Sequence, residues 1–292
     1  MKFTDFTILM MCCLAWAANF VVSAWALGNN PIPPFMLAGV RAIIVLALMG
    51  LFLFRKRPDN FGALLFVCAC VGPIHLGLLY TGLQTATASG GSIVSQMMIP
   101  IATVLSVIML GEKIGRVRGV AIVGAFIGVM IMIYDPKGLK PDIGLLYILL
   151  AYVSLAFGSV VMKRVGQVDW RVYVAWMALM VFVVMVPLSI LFETGQVEVW
   201  RESRFPFLIA AGYAAIAVTI FAHGQYFSLI GKYPVSVVVP LTLIMPLFTC
   251  ILGVAFLKED ILARYYIGAA LILPCVYIIA KRQVKGPITN SK

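Results

Sequence analysis

Three side chains carry chemistry that their surroundings make costly. Arg41 stands in "PPFMLAGVRAIIVLALMGLFLF" (33–54), a stretch that is otherwise apolar or small. His75 and His223 are the two histidines, and both lie in apolar runs. A guanidinium at such a position has three uses: snorkelling, bridging helices through polar groups, or offering a cationic wall to a substrate carboxylate. Arg41 lies about seven residues, or roughly 10 Å, from the start of its segment. The expected role is a structural or gating clamp, with the carboxylate contact as the alternative. Histidine titrates near neutrality, and all eleven Asp and Glu residues fall in loops or at segment ends. His75 and His223 are therefore the candidates for proton coupling, against the plainer reading of neutral histidines hydrogen-bonded between helices.

Smaller polar groups recur at helical spacing. Trp16, Asn19 and Ser23 follow i, i+3, i+7, as do Ser89, Ser92 and Gln96, with Ser95 beside them; Thr219, His223 and Tyr226 follow i, i+4, i+7, again on one face. A polar stripe on an apolar helix must face protein or water rather than lipid. Ser89 and Ser92 read as helix-to-helix contacts. Trp16, Asn19, Gln96, His223 and Tyr226 are large enough to reach into a cavity and are the substrate-pocket candidates. Pro100, Pro240 and Pro246 each remove a ladder hydrogen bond and read as hinges or pocket-shaping bends. Glu112 and Glu259 stand at segment ends, where capping or ion pairing is expected.

These residues need a membrane-spanning frame. The chain is 63% hydrophobic and 11% charged, with a mean hydropathy of +1.06, whereas soluble domains are about 45–50% apolar. Ten segments approach the ~20 residues a spanning helix needs: roughly 6–27, 35–54, 61–82, 91–111, 117–134, 143–163, 171–192, 205–230, 235–257 and 264–281. The runs lack the two-residue alternation of a membrane β-barrel. The expected fold is all-α and integral to the membrane, with short connections and no soluble domain. Ala24-Trp25-Ala26 imitates a signal-peptidase site, but Lys2 is opposed by Asp5, so segment 1 is expected to be retained.

The net charge of +11 marks topology rather than nucleic-acid binding. With the N-terminus inside, fifteen cations fall on the cytoplasmic side: Lys2, Arg55–Arg57, Lys113, Arg116, Arg118, Lys163, Arg164, Arg171, Lys232, Lys281, Arg282, Lys285 and Lys292. Six fall opposite: Lys137, Lys140, Arg201, Arg204, Lys258 and Arg264. That bias places both termini in the cytoplasm. The six cysteines, Cys12, Cys13, Cys68, Cys70, Cys250 and Cys275, lie within segments and read as packing residues. No metal-ligand cluster or cofactor motif is present. A membrane enzyme would need a catalytic cluster, and an ATP-driven pump a glycine-rich phosphate loop; neither pattern occurs.

A shift of 146 residues lays Tyr80 on Tyr226, Leu83 on Leu229 and Pro100 on Pro246; one further residue aligns Leu110-Gly111-Glu112 with Leu257-Lys258-Glu259. The expected units are residues 1–134 and 143–281, followed by a cytoplasmic tail, 282–292. Five helices per unit is an odd number, so the second unit enters the membrane from the opposite side. Inverted repeats accompany alternating-access transport, with a site near the midplane.

Four stretches, "LAWAANFVVSAWAL" (14–27), "PPFMLAGVRAIIVLAL" (33–48), "IPIATVLSVIMLGEKI" (99–114) and "SLIGKYPVSVVVPLTLIMPLFTCILGVAFLKEDI" (228–261), resemble the EamA-like, ten-helix branch of the drug/metabolite transporter superfamily. The last is similar to exporters of amino-acid metabolites such as cysteine and O-acetylserine. Ala24 and Trp25 stand where many relatives have lysine. The resemblance implies a secondary transporter of small polar metabolites in the bacterial inner membrane, an exporter of amino acids or their derivatives. Drugs, purines or nucleosides, and sugar-derived metabolites are the alternative solutes. Proton coupling, solute exchange and a homo-oligomer all remain open.

Overall fold

The computed structural model describes residues 1–30, 32–111, 114–135, 140–166, 168–233 and 235–282. Glu112, Lys113, Lys137, Pro234 and the tail from 283 lie outside them. Among the described residues, ten helices are long and apolar enough to cross a membrane: α1 Phe3–Gly28, α2 Pro34–Phe54, α3 Phe61–Leu83, α4 Ala88–Leu110, α5 Arg116–Ile133, α6 Ile143–Met162, α7 Trp170–Phe192, α8 Arg204–Lys232, α9 Val237–Leu257 and α10 Ala263–Lys281. The sequence-based segments coincide with these to within a few residues. Two small elements were not legible: a helix at Gln196–Glu202 in the α7–α8 connection, and a two-residue antiparallel pairing of Tyr134–Asp135 with Lys140–Pro141. The first sits on polar residues with no long apolar run, and the second is too short to show alternation.

The packing has internal symmetry. Helix α5 packs on α10 and α2 on α7, while α1 contacts α8 and α9 and α6 contacts α3 and α4. Exchanging each helix with the one five places along maps these pairs onto one another. This is the pattern produced by two related five-helix halves.

Irregular turns follow the same exchange. Helix α4 breaks at Gln96–Met97 before restarting at Met98, and α9 tightens to a 3-10 turn over Thr242–Ile244. Pro100 and Pro246 each follow their break by four residues from its first position, where the missing N–H would otherwise have sought the carbonyl of Gln96 or Thr242. Pro240 lies in the turn before the α9 break. Helices α3 and α8 each contain a π-bulge, Cys70–Ile74 and Ala214–Ala222, at repeat-equivalent positions. Pro73 disrupts the ladder in α3. At the equivalent position in α8, the Thr219 hydroxyl donates to the Ala214 carbonyl at 2.8 Å.

Small residues set the closest approaches. A Cβ on Gly82 would lie 2.7 Å from the Gly144 carbonyl, joining the end of α3 to the start of α6. On α10, a Cβ at Gly268 would collide with the Met132 side chain and stand 2.9 Å from the Gly128 carbonyl. Gly268→Val is therefore expected to force α5 and α10 apart and to destabilise the protein by about 1–3 kcal/mol, the usual effect of overpacking. A lowered melting temperature in detergent would show it; an unchanged one would contradict this seam.

Candidate functional site

Arg41 is 6% exposed and joins three helices. Its Nε and Nη2 donate to Thr219 Oγ1 at 3.2 and 2.8 Å, and its Nη1 donates to Tyr80 Oη at 2.9 Å. The π-bulge of α8 aims Thr219 toward α2, and Thr219 is fully used: it accepts from the guanidinium and donates to the Ala214 carbonyl. Its partners are hydroxyls rather than backbone carbonyls. Both are neutral. Among the described residues no carboxylate pairs with Arg41. A cavity of about 10 Å³, room for about one water, adjoins Arg41 and Thr219 and is otherwise lined by apolar side chains such as Leu76 and Val181.

One helical turn beyond Thr219, His223 Nδ1 lies 2.8 Å from the Val218 carbonyl. A carbonyl only accepts, so Nδ1 holds the proton and, in the neutral ring, Nε2 is an acceptor. The His223 ring meets Trp16 at 5.6 Å between centroids, and Tyr226 meets Trp16 edge-on at 5.1 Å. Three of the five pocket candidates therefore form one aromatic cluster between α1 and α8. Asn19, one turn along α1, is 7% exposed. Its Oδ1 and the Trp16 Nε1 are buried with no hydrogen-bond partner among the described residues. Gln96, the fifth candidate, is buried where α4 breaks.

His75 makes its contacts with α6 instead. Its Nδ1 donates to the Ala151 carbonyl at 3.0 Å, and its ring lies edge-on to Tyr152 at 5.1 Å. Nearby, Ser154 Oγ donates to the Cys70 carbonyl in the α3 bulge, at 2.8 Å. The expectation that Ser89 and Ser92 act alike as helix-to-helix contacts needs correction. Ser92 and Ser95 bond to carbonyls of their own helix, whereas Ser89 reaches the α9–α10 connection.

That contact helps to close one end of the bundle. Helix α9 ends on Lys258 in the left-handed region, φ 54°, and α4 ends on Gly111 at φ 68°. The turn at Lys258 directs Glu259 onto the start of α4, where its carboxylate accepts from the N–H groups of Ala88 at 2.6 Å and Ser89 at 3.1 Å and from the Ser89 hydroxyl. Gly253 has no side chain to obstruct this: a Cβ there would lie 2.5 Å from Glu259 Oε2. Glu193, just after α7, treats α2 similarly, accepting from Phe35 N–H at 2.7 Å and Met36 N–H at 2.9 Å. Both carboxylates satisfy otherwise unpaired N–H groups at the positive end of a helix dipole. At the opposite end, Tyr233 donates to Asp5 at 2.7 Å and Lys232 stands 3.4 Å from it, fastening the end of α8 to α1. Sequence reasoning anticipated capping at Glu259. It missed Glu193, Tyr80 and the contact of Asp5, whose partners are 158, 39 and 228 residues away.

Ten apolar helices with polar side chains buried between them, and with carboxylates fastening the ends, define a polytopic integral membrane protein. The model of the EamA-like transporter family matches residues 5–134 and again 142–281. The chain belongs to that family and is a membrane transporter. It is 24% identical to a "probable amino-acid metabolite efflux pump" of Escherichia coli K12, over 94% of each chain. It is 25% identical to a protein of the same description from Salmonella typhimurium, again over 94% of each. A solved crystal structure superposes with a TM-score of 0.60 at 18% identity, covering 98% of this chain and 100% of that one, a likeness of fold alone.

Two measurements test this geometry. Arg41→Lys keeps the charge but cannot reach both Thr219 and Tyr80, so it should destabilise the protein by about 2 kcal/mol or more, given about 1.5–3 kcal/mol for a hydrogen bond to a charged group. A wild-type melting temperature would refute the clamp. Lys258→Val puts a β-branched residue into the left-handed region and should lower stability by about 1–2 kcal/mol, whereas Lys258→Gly should not lower it. Equal effects of the two would show that the turn is not what holds Glu259 in place.

Proposed function

We propose that the protein exports amino acids or closely related metabolites across the bacterial inner membrane by alternating access, with both termini in the cytoplasm. The observation that carries the reading is a set of buried polar groups with unmet bonding capacity. Among the described residues the Arg41 guanidinium is bonded to hydroxyls and paired with no carboxylate, and on α1 the acceptor of Asn19 and the donor of Trp16 are buried without partners. A solute with a carboxylate and a hydrogen-bonding amino group would meet both needs. The two relatives described as probable amino-acid metabolite efflux pumps, similar along nearly the whole chain, support the same solute class.

The repeat supports the mechanism. Residues 1–134 and 143–281 act as two units of opposite orientation, and rocking one against the other exposes the centre to either side in turn. Glu259 and Glu193 fasten the side away from the termini, and Asp5 the terminal side. Releasing one set while the other holds would open one entrance at a time. Arg41 and the breaks before Pro100 and Pro246, with Pro240 beside the second, fix or bend the helices around the centre. The charge bias supports the orientation.

Binding is tested by thermal shift with amino acids and derivatives, because a ligand of the native state raises stability by mass action. A responding solute should then be moved by proteoliposomes. Asn19→Ala and Trp16→Ala should weaken its binding at least tenfold with little change in melting temperature. Binding left intact in both would remove these residues from the site, and a response confined to sugar phosphates or nucleosides would overturn the solute class. His223→Gln keeps an N–H for the Val218 carbonyl but cannot titrate. If transport is proton-coupled through this residue, the variant should flatten its pH dependence; an unchanged profile would exclude His223 from coupling.

A further inference from the structure

On the terminal side, the α2–α3 connection and the first turns of α7 build a surface that the transport reading does not use. Arg55 and Arg171 share one aromatic ring: their guanidinium carbons lie 5.4 and 5.6 Å from the centroid of Phe52. Arg171 also lies 5.6 Å from the ring of Trp170. Arg57 is set against two more rings, Phe61 at 4.9 Å and Trp176 at 5.3 Å. The α6–α7 connection is tied alongside by Asn60 Nδ2, which donates to the Arg164 carbonyl at 3.3 Å.

All three arginines are exposed. Asp169 spends one oxygen on the backbone N–H of Arg171 at 2.9 Å, and among the described residues no carboxylate forms an ion pair with Arg55, Arg57 or Arg171. Three guanidiniums are thus held against aromatic faces, which attract cations, while their N–H edges stay available. Directly beside them, the last turn of α2 presents Leu51 at 83% exposure and Phe54 at 88%. Unpaired cations at the rim and bare apolar side chains below them match the two parts of a phospholipid. A soluble phosphate would have no use for Leu51 or Phe54.

We infer that this surface binds an anionic phospholipid, with the headgroup phosphate on Arg55, Arg57 and Arg171 and the acyl chains along Leu51 and Phe54. Guanidinium matches phosphate with paired donors, and basic clusters beside spanning helices favour anionic headgroups. A choline headgroup would bring a cation of its own into a surface that already holds three.

The test uses the full-length protein in detergent, with melting and native mass spectrometry in the presence of phosphatidylglycerol, phosphatidylcholine or glycerol phosphate. Phosphatidylglycerol should raise the melting temperature and remain bound, while the other two should do neither. Replacing Arg55, Arg57 and Arg171 together by Gln should weaken phosphatidylglycerol binding at least tenfold; replacing Arg201 and Arg204, at the opposite end, should not. If the triple variant does not fold, Arg57→Gln and Arg171→Gln are made singly, and each should weaken binding severalfold. Equal binding of phosphatidylcholine, retention of phosphatidylglycerol by these variants, or an equal shift with glycerol phosphate would each overturn the inference, the last in favour of a soluble phosphate site.

Discussion

Hydrocarbon supplies no hydrogen-bond partner, so every backbone group that a spanning helix releases must be met by the protein itself. That constraint organises the centre of this molecule. Around the α8 bulge the Ala214 and Val218 carbonyls accept from the Thr219 hydroxyl and the His223 ring, and in the α3 bulge the Cys70 carbonyl accepts from Ser154 of α6. Thr219, once fixed in this way, becomes the acceptor for Arg41. The same rule governs the helix ends, where Glu259 and Glu193 answer the first N–H groups of α4 and α2. Side chains that close irregular backbone also join the two halves, so local satisfaction and global assembly are one set of bonds.

This arrangement would suit the alternating access proposed above. Contacts at the two ends are few, polar and near water, where a competing solvent bond is close at hand. The seams within the bundle, such as Gly128 against Gly268, are tight and apolar and have no such substitute. Stability concentrated in the seams and reversibility at the ends is the distribution that rigid-body motion of one half against the other requires.

Tyr80 and Tyr226 show how far the repeat constrains function. They are equivalent by position, yet Tyr80 accepts from Arg41 while Tyr226 packs edge-on against Trp16. Pro73 and Thr219 are likewise equivalent: one forces a bulge by lacking a donor, and the other serves a bulge by supplying one. Duplicated backbone geometry has been kept while the side chains have taken separate tasks.

The sequence by itself determined the ten helices and their approximate ends and pointed to a two-unit repeat, because hydropathy over twenty residues and proline or glycine at fixed spacing act locally along the chain. It also marked Arg41, the histidines and the polar stripes as groups that must face inward, since lipid would exclude them. Tertiary structure alone decided which inward groups meet. Spacing on one helix says nothing of the rotation of its neighbour, so the pairing of Trp16 with His223 and Tyr226, the separation of His75 toward α6, and the choice of Thr219 and Tyr80 for Arg41 followed only from packing. The roles of Glu193 and Asp5 were hidden for the same reason: a carboxylate at a helix end looks like any solvated charge until the chain folds another helix terminus or a tyrosine against it.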